Sequence, residues 1–491
     1  MFFNELDKHD FQQAITDSVG VQNYVELHEE IKQIASFLLK KLNKTHLQEE
    51  RIALLFMPNR KYVAALCAVW LAGGVAVPLS HTHPTPEMAY IWEDAQCSFL
   101  LTETSLENKA KELQVFYALY ESIENKNDRN IQFPKISDTQ RALIIYTSGT
   151  TGKPKGVVST HKNLKFQIET LVNSWQWNSK DKILHILPLH HIHGIVNALL
   201  CALYVGAEVH FLPKFEAEEV WKTWQVKGFT IFMAVPTIYN RLIATWEEAT
   251  PATQMLMSES VRKMRLMISG SAALPVSTLE KWQKISGHFL LERYGMSEIG
   301  MAISNPLEGK RKEGYVGLPL PNIKVRLVDE NGEEIIKNAE IGEIQVKGEN
   351  VFLEYWNKKE ATRDSFTEDI WFRTGDTAIR DEEGYFKILG RTSVDIIKTG
   401  GYKVSAIEVE EALRTHPLIK DCAVLGVANE EWGEQVTAFI MSKGIFSLEE
   451  LRNWAKSRIA HYKIPTKIYF LDDFPRNALG KVQKNILKQK V

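Results

Sequence analysis

Glycine, hydroxyl and lysine side chains crowd into the stretch YTSGTTGKPKG, residues 146–156. Main-chain N–H groups of a glycine-rich turn at Gly149 and Gly152 can surround phosphate oxygens. The hydroxyls of Thr147, Ser148, Thr150 and Thr151 offer further hydrogen bonds, and Lys153 and Lys155 supply positive charge. The order is not that of the common ATP loop G-x-x-x-x-G-K-[ST]. Pro154 directly follows Lys153, so a turn running straight into a helix is not expected. By composition alone a Ser/Thr/Gly surface loop is the alternative, and the buried strand RALIIYT just before it favours the phosphate reading.

Other residues able to do chemistry are scattered through the chain. They include Glu298, Ser297, Tyr294 and Arg293 in LERYGMSE, Asp376 in WFRTGD, Arg391 in GYFKILGR and Lys481 in NALGKVQK. Three histidines, His190, His191 and His193, lie in PLHHIHG, and Arg241 lies in VPTIYNRL. Each has an ordinary structural reading. A lysine in a basic helix start is solvated, an aspartate caps a turn, a histidine packs or makes a structural hydrogen bond, and an arginine pairs inside the protein.

The elements that must position these residues follow an α/β rhythm. Leu27, Ile31, Ile34 and Leu38 line one helical face, RIALLF is a buried strand, a helix spans about Arg60 to Leu71, and VAVPL is the next strand. Thr85 with Pro86 starts another helix. That order predicts a parallel sheet with crossover helices. GVVST resumes extended structure before Thr160 caps a helix bearing Leu164, Ile168 and Leu171. A second α/β series runs from Asp181 to about Met301, and strands and turns follow it. The last hundred residues form a small α+β unit with capping boxes at Ser405/Glu408 and Ser447/Glu450.

Size and composition bound the function. At 491 residues the chain holds at least two cores. A net charge of -2 from 59 basic and 61 acidic residues gives no bias toward nucleic acid. Cys67, Cys97, Cys201 and Cys422 lie far apart, so core packing in a reducing compartment is expected rather than a metal cluster or disulfide framework. The longest uncharged run, Val63 to Leu79, is short for a membrane span and contains Gly73, Gly74 and Pro78, so no membrane anchor is expected. The opening MFFNELDKHD is acidic and polar, unlike a signal or transit peptide. The expected location is therefore cytoplasmic, or mitochondrial if a presequence has been removed.

Taken in order, YTSGTTGKPKG, LERYGMSE, WFRTGD, GYFKILGR and NALGKVQK resemble the motifs of the acyl-adenylate-forming superfamily of acyl-CoA synthetases, adenylation domains and luciferases. The resemblance spans nearly the whole chain. It implies an α/β fold with a large multi-subdomain adenylate-forming N-terminal domain, residues 1–390, and a smaller, mobile α+β C-terminal domain, residues 391–491, serving as catalytic lid and thioesterification domain. It also implies ATP and Mg2+, with CoA as cosubstrate. ATP activates a carboxylate at the α-phosphorus, giving acyl-AMP and pyrophosphate, and a thiol then displaces AMP. In that reading Lys481 stabilises charge during adenylation, Glu298 associates with magnesium, and Ser297 stands where many relatives carry threonine. Tyr294 packs on the adenine, Gly270, Ser271 and Ala272 line the other side of the base, and Asp376 and Arg391 hold the ribose or phosphates. Gly400, Gly401, Tyr402 and Lys403 in KTGGYKVS approach the pantetheine arm after domain rotation. The pivot, commonly aspartate or lysine in the family, is Ser393 here.

A closer resemblance, carried by ERYGMSEIGMAISNPLEGKRKEGYVGLPLPNIKVRLVDE and GRTSVDIIKTGGYKVSAIEVEEAL, is to the malonyl/methylmalonyl-CoA synthetases related to acyl-CoA synthetase family member 3. It implies that Arg241 and Arg293 recognise the carboxylate that is not activated, while His191 and His193 shape the acid pocket. Malonate is then the expected acid, with methylmalonate a second substrate and lipid metabolism the setting. The rival readings are another short-chain or aryl acyl-CoA synthetase, a carrier-loading adenylation enzyme and a non-catalytic nucleotide-binding protein.

Overall fold

The computed structural model describes residues 6, 8–9, 11–123, 132–147, 154–226, 228–392, 394–399, 402–429, 432–476 and 480–491, and among them the strands form four sheets. Apolar runs such as RIALL and VAVP become strands buried on both faces. They belong to a seven-stranded sheet in which Arg141–Thr147, Val75–Pro78, Arg51–Leu55, Phe99–Thr102 and Tyr117–Leu119 run parallel. Helices Arg60–Leu71 and Thr85–Ala95 make the crossovers, the first capped by the Asn59 side chain and the second opening behind Pro84. Lys155–Thr160 returns antiparallel to Arg141–Thr147, with Thr147 opposite Lys155. The phosphate-like stretch thus closes a hairpin, as Pro154 implied. Ser148, Gly149, Thr150, Thr151, Gly152 and Lys153 lie outside the described residues. Thr160 starts helix His161–Ser174 through a reciprocal capping box with Asn163.

The second α/β series forms a nine-stranded sheet. Its centre, Glu208–Phe211, Lys182–His185, Ile231–Ala234, Leu266–Ser269 and Leu291–Met296, is parallel, and antiparallel strands finish both edges. A four-stranded antiparallel sheet follows, placing Asp376 opposite Arg391. The final sheet is built from Ile396–Thr399, Tyr402–Ser405, Ile419–Asn429, Gly433–Ser442 and Lys467–Phe470. Two apolar clusters lie in that last part, and neither contains a residue before 391.

The Ser447/Glu450 capping box forms, but the one at Ser405 is only half made. Ser405 Oγ accepts the N–H of Glu408 at 3.2 Å and donates to the Leu389 carbonyl, while the Glu408 carboxylate turns to Lys463 at 2.5 Å. An ion pair with a distant lysine outcompetes the local backbone N–H for that carboxylate.

All four cysteines are unpaired with one another and buried. Burial pushes the Cys67 and Cys97 thiols up to about 12 and raises those of Cys201 and Cys422 as well. Among the described residues, no helix is long and apolar enough to cross a membrane.

Candidate active site

Ligands of open α/β sheets gather outside the carboxyl ends of parallel strands. Here those ends deliver Thr147, the histidines after Lys182–His185, Thr237 after Ile231–Ala234, Gly270 and Ser271 after Leu266–Ser269, and the Leu291–Met296 segment. A cavity of about 1240 Å³ opens among them and is closed on the far side by the stretch around Lys481.

One part of the cavity is built around Arg293. This side chain is 3% exposed, its Nε has no hydrogen-bond partner, and no carboxylate lies within ion-pair distance among the described residues. Its nearest polar neighbour is Ser271 Oγ, 3.5 Å from Nη2. Room for the guanidinium exists because residue 270 is glycine, where a Cβ would stand 2.3 Å from Nη1. Ser271 adopts a left-handed backbone, φ +67°, which turns its hydroxyl to within 3.2 Å of His193 Nδ1. Gly270 and Ser271 therefore pack beside Arg293, and Ser271 and Ala272 both line the cavity.

Burial lowers the pKa of Arg293, yet a guanidinium remains protonated at neutral pH. Burial pushes the carboxyl of Glu292 up to about 8, which weakens this neighbour as a counter-charge to Arg293. The histidines add no charge. Burial holds His191 at about 4 and His190 and His193 well below their ordinary value. The His190 ring is tilted 47° against that of His191 with centres 4.1 Å apart, and the Nε2 atoms of all three lack a hydrogen-bond partner.

In another part of the cavity lining Asp376 accepts the Tyr294 hydroxyl at 2.5 Å and lies 2.9 Å from Arg391 Nε. Arg391 also donates to the Thr374 carbonyl at 2.8 Å. Burial raises the Asp376 pKa while Arg391 opposes it. Glu298 is buried and accepts the Tyr355 hydroxyl at 2.9 Å, and Lys155 lies 5.0 Å over the same tyrosine ring. Thr147, Ser297 and Glu298 line the cavity together.

Lys481 enters from the C-terminal part. Gly480 packs so closely on Thr237 that a Cβ would stand 2.9 Å from its hydroxyl. The Lys481 pKa is lowered by burial, opposed by Asp376 and reinforced by Arg391 and Arg293, which places its ammonium in the field of all three. Because the side chain reaches water through the cavity, that drop is smaller than a sealed interior would give.

Arg241 is not among the residues that line this cavity. It is exposed on helix Pro236–Glu248, with its guanidinium 4.8 Å over Phe215, whereas Thr237, Asn240 and Ala244 of the same helix line the cavity. One step along a helix turns a side chain by about 100°, enough to carry Arg241 off the face that Asn240 presents. Tyr402 is 54% exposed and stacks on Tyr462 with ring centres 4.2 Å apart, outside the cavity lining. Ser393, Gly400, Gly401 and the Lys403 side chain lie outside the described residues. Sequence reasoning passed over Tyr355, Asp395 and Lys484. The last two stand inside the quoted motif stretches, but nothing in their spacing marks them as partners.

The chain matches the model of the AMP-binding enzyme over residues 3–356 and that of the AMP-binding enzyme C-terminal domain over 408–481. It is 43% identical to "Malonate–CoA ligase ACSF3, mitochondrial" of Xenopus laevis, covering 96% of this chain and 89% of that one. It superposes on ATP-bound MatB from Rhodopseudomonas palustris with a TM-score of 0.90 at 33% identity, covering 100% of this chain and 98% of that one. Against a malonyl-CoA ligase ternary product complex with methylmalonyl-CoA and AMP bound, the TM-score is 0.69 at 33% identity, over 95% and 97% of the two chains. With a family match over most of its length and the motif residues gathered in one cavity, the chain belongs to the AMP-binding enzymes.

Proposed function

We propose that this chain is an acid–thiol ligase that joins malonate to CoA through malonyl-AMP, with ATP as the activating substrate and AMP and pyrophosphate as products. The observation that carries the reading is Arg293, a buried guanidinium without a carboxylate partner among the described residues, facing the cavity that also holds Lys481 and Asp376. A buried unpaired charge is costly, and a carboxylate arriving with the substrate removes that cost by a directional pair of hydrogen bonds. A diacid of three carbons supplies one carboxylate for Arg293 and another for the α-phosphorus. Methylmalonate retains both groups and is proposed as a second substrate.

In the first step one malonate oxygen attacks the α-phosphorus and pyrophosphate leaves. Arg293 holds the distal carboxylate while the neutral histidines shape the recess around the carbon chain. Asp376 accepts from the ribose hydroxyls, and Arg391 orients that carboxylate. Lys481 offsets the charge that develops between carboxylate and α-phosphate. The hairpin residues 147–155 cradle the phosphates, with Ser297 and Lys155 beside them. Glu298 fits a magnesium ion brought with the nucleotide, because magnesium needs only one or two protein carboxylates when phosphates complete its shell. When bound, the ion neutralises phosphate charge.

For the second step the CoA sulfur attacks the malonyl carbonyl and AMP leaves. Division into residues 1–390 and 391–491, with rotation about the segment containing Ser393, would withdraw Lys481 and bring Gly400, Gly401, Tyr402 and Lys403 toward the thiol. Likeness to the ATP-bound relative, 0.90, exceeds likeness to the product complex, 0.69, at the same 33% identity, which supports an arrangement suited to the first step.

The test is a panel of acids assayed for acyl-CoA under matched conditions. Malonate should give the highest kcat/KM, and a higher value for medium-chain monocarboxylates overturns the substrate assignment.

A further inference from the structure

Lys481 acts at the end of a long, flexible side chain, so its backbone must be held firmly for the ammonium to reach one place. Two supports flank it. On the N-terminal side Arg476 donates to the Gly480 carbonyl at 2.9 Å and pairs with Asp421 at 2.6 Å. On the C-terminal side Lys484 opens the short helix Lys484–Lys488 and points inward. Its Nζ lies 2.6 Å from Asp395 Oδ1 and 2.8 Å from Glu410 Oε1, with all three side chains 15% exposed or less.

Asp395 divides its carboxylate between two parts of the chain. One oxygen takes Lys484, and the other accepts the main-chain N–H of Arg391 at 3.0 Å. Close approach is allowed by Gly390, φ +128°, where a Cβ would stand 2.3 Å from Asp395 Cβ. The Arg391 side chain in turn grips Asp376, the proposed ribose ligand. An unbroken series of short contacts therefore runs from the residue three places after Lys481 to the nucleotide side of the cavity. It crosses the chain between 391 and 395, so turning that segment must break or remake the Arg391–Asp395 bond.

A hydrophobic side chain could fill the Lys484 position at less desolvation cost than a buried ammonium. What the ammonium adds is direction, because two carboxylates fix its place. Burial with these acids also keeps Lys484 charged, its pKa raised by Glu410 and Asp395 against the desolvation that would lower it.

We propose that Lys484 is a positioning residue for Lys481, tying the Lys481 segment through Asp395 to the Arg391 main chain, and that this tie serves the acid-activating step alone. The proposal rests on the two-step reading above. It is tested with full-length Lys484→Gln, Lys484→Arg and Asp395→Asn variants, each measured in two half-reactions and by thermal unfolding. The first half-reaction is acid-dependent exchange of labelled pyrophosphate into ATP, and the second is thioester formation from supplied malonyl-AMP and CoA.

Lys484→Gln should lower kcat for exchange by about 10- to 100-fold, the scale of an ångström-level misplacement, with KM for ATP and acid nearly unchanged. Asp395→Asn should do the same, Lys484→Arg should restore most of the loss, and thioester formation should stay within about 2-fold of wild type, since the tie to Arg391 is absent once the segment turns. Equal slowing of both half-reactions, or unchanged exchange, overturns the proposal, and so does a loss explained by a fall in the unfolding midpoint. Wild-type exchange with malonate is the separate control on the acid. If the wild type exchanges only with another acid, the malonate assignment fails, and the variant-to-wild-type ratio measured with that acid still decides the role of Lys484.

Discussion

The acid recess and the last hundred residues both bury cations, and they treat them in opposite ways. Arg293 sits 3% exposed with no carboxylate in ion-pair contact among the described residues. Arg414, on helix Ala406–Arg414, lies 3.4 Å from Glu410, 3.4 Å from Glu411 and 3.3 Å from Asp421. Lys484 likewise has two acids. A buried charge that the chain compensates belongs to its own architecture. One that it leaves uncompensated is a place kept for something that arrives from solution.

The sharpest way to break this comparison is to remove each cation in turn. Arg293→Met should lower kcat/KM for malonate by about 150- to 4000-fold, matching the roughly 3–5 kcal/mol lost when one partner of a buried pair is deleted. It should leave the unfolding midpoint unchanged or higher, because the free protein loses an unpaired charge. A calorimetric scan beside the kinetics checks both halves, and a marked fall in midpoint would erase the distinction. Arg414→Met should show the reverse. Glu411 would lose its cation while Glu410 keeps Lys484 and Asp421 keeps Arg476, so the protein should be destabilised by about 1–3 kcal/mol, seen as a lower denaturation midpoint, with adenylation by the folded fraction little changed.

A smaller effect comes from pH. Glu292, raised to about 8 by burial, is neutral at pH 7 and ionises as the pH climbs through that value. The new anion competes with malonate for the field of Arg293. KM for malonate should therefore rise roughly 3- to 10-fold above pH 8, a Coulomb contribution on the order of 1 kcal/mol, and Glu292→Gln should flatten the rise. The smallest effect is expected at Arg241. Exposed and lying over Phe215, it should tolerate Arg241→Ala with kcat/KM for malonate within about 2-fold, as surface changes usually do. A loss comparable to that of Arg293→Met would return Arg241 to the recess.

Much of this was legible in the sequence because periodicity and turn residues are local. The crossover helices, the extended segments on both sides of the phosphate-like stretch and the strand ends carrying Gly270 and Arg293 all follow from near neighbours. Position along a motif does not determine azimuth, however, and the helix turns Asn240 toward the cavity while Arg241 lies exposed over Phe215. Other features are decided at long range. Tyr355 meets Glu298 from 57 residues away, and Lys463 takes the Glu408 carboxylate from 55 residues away, which no local pattern announces. Lys484 and Asp395 meet across 89 residues, so each motif held only half of the tie.

The four buried cysteines bear on a hazard built into the proposed chemistry. A mixed anhydride such as malonyl-AMP reacts with any accessible sulfur anion, including the catalyst's own. With Cys67, Cys97, Cys201 and Cys422 all enclosed and their ionisation suppressed, the folded protein offers that electrophile no competing nucleophile of the same kind. Self-modification should be limited to molecules that have unfolded, and the thiol that enters from solution meets the activated acyl group without a rival.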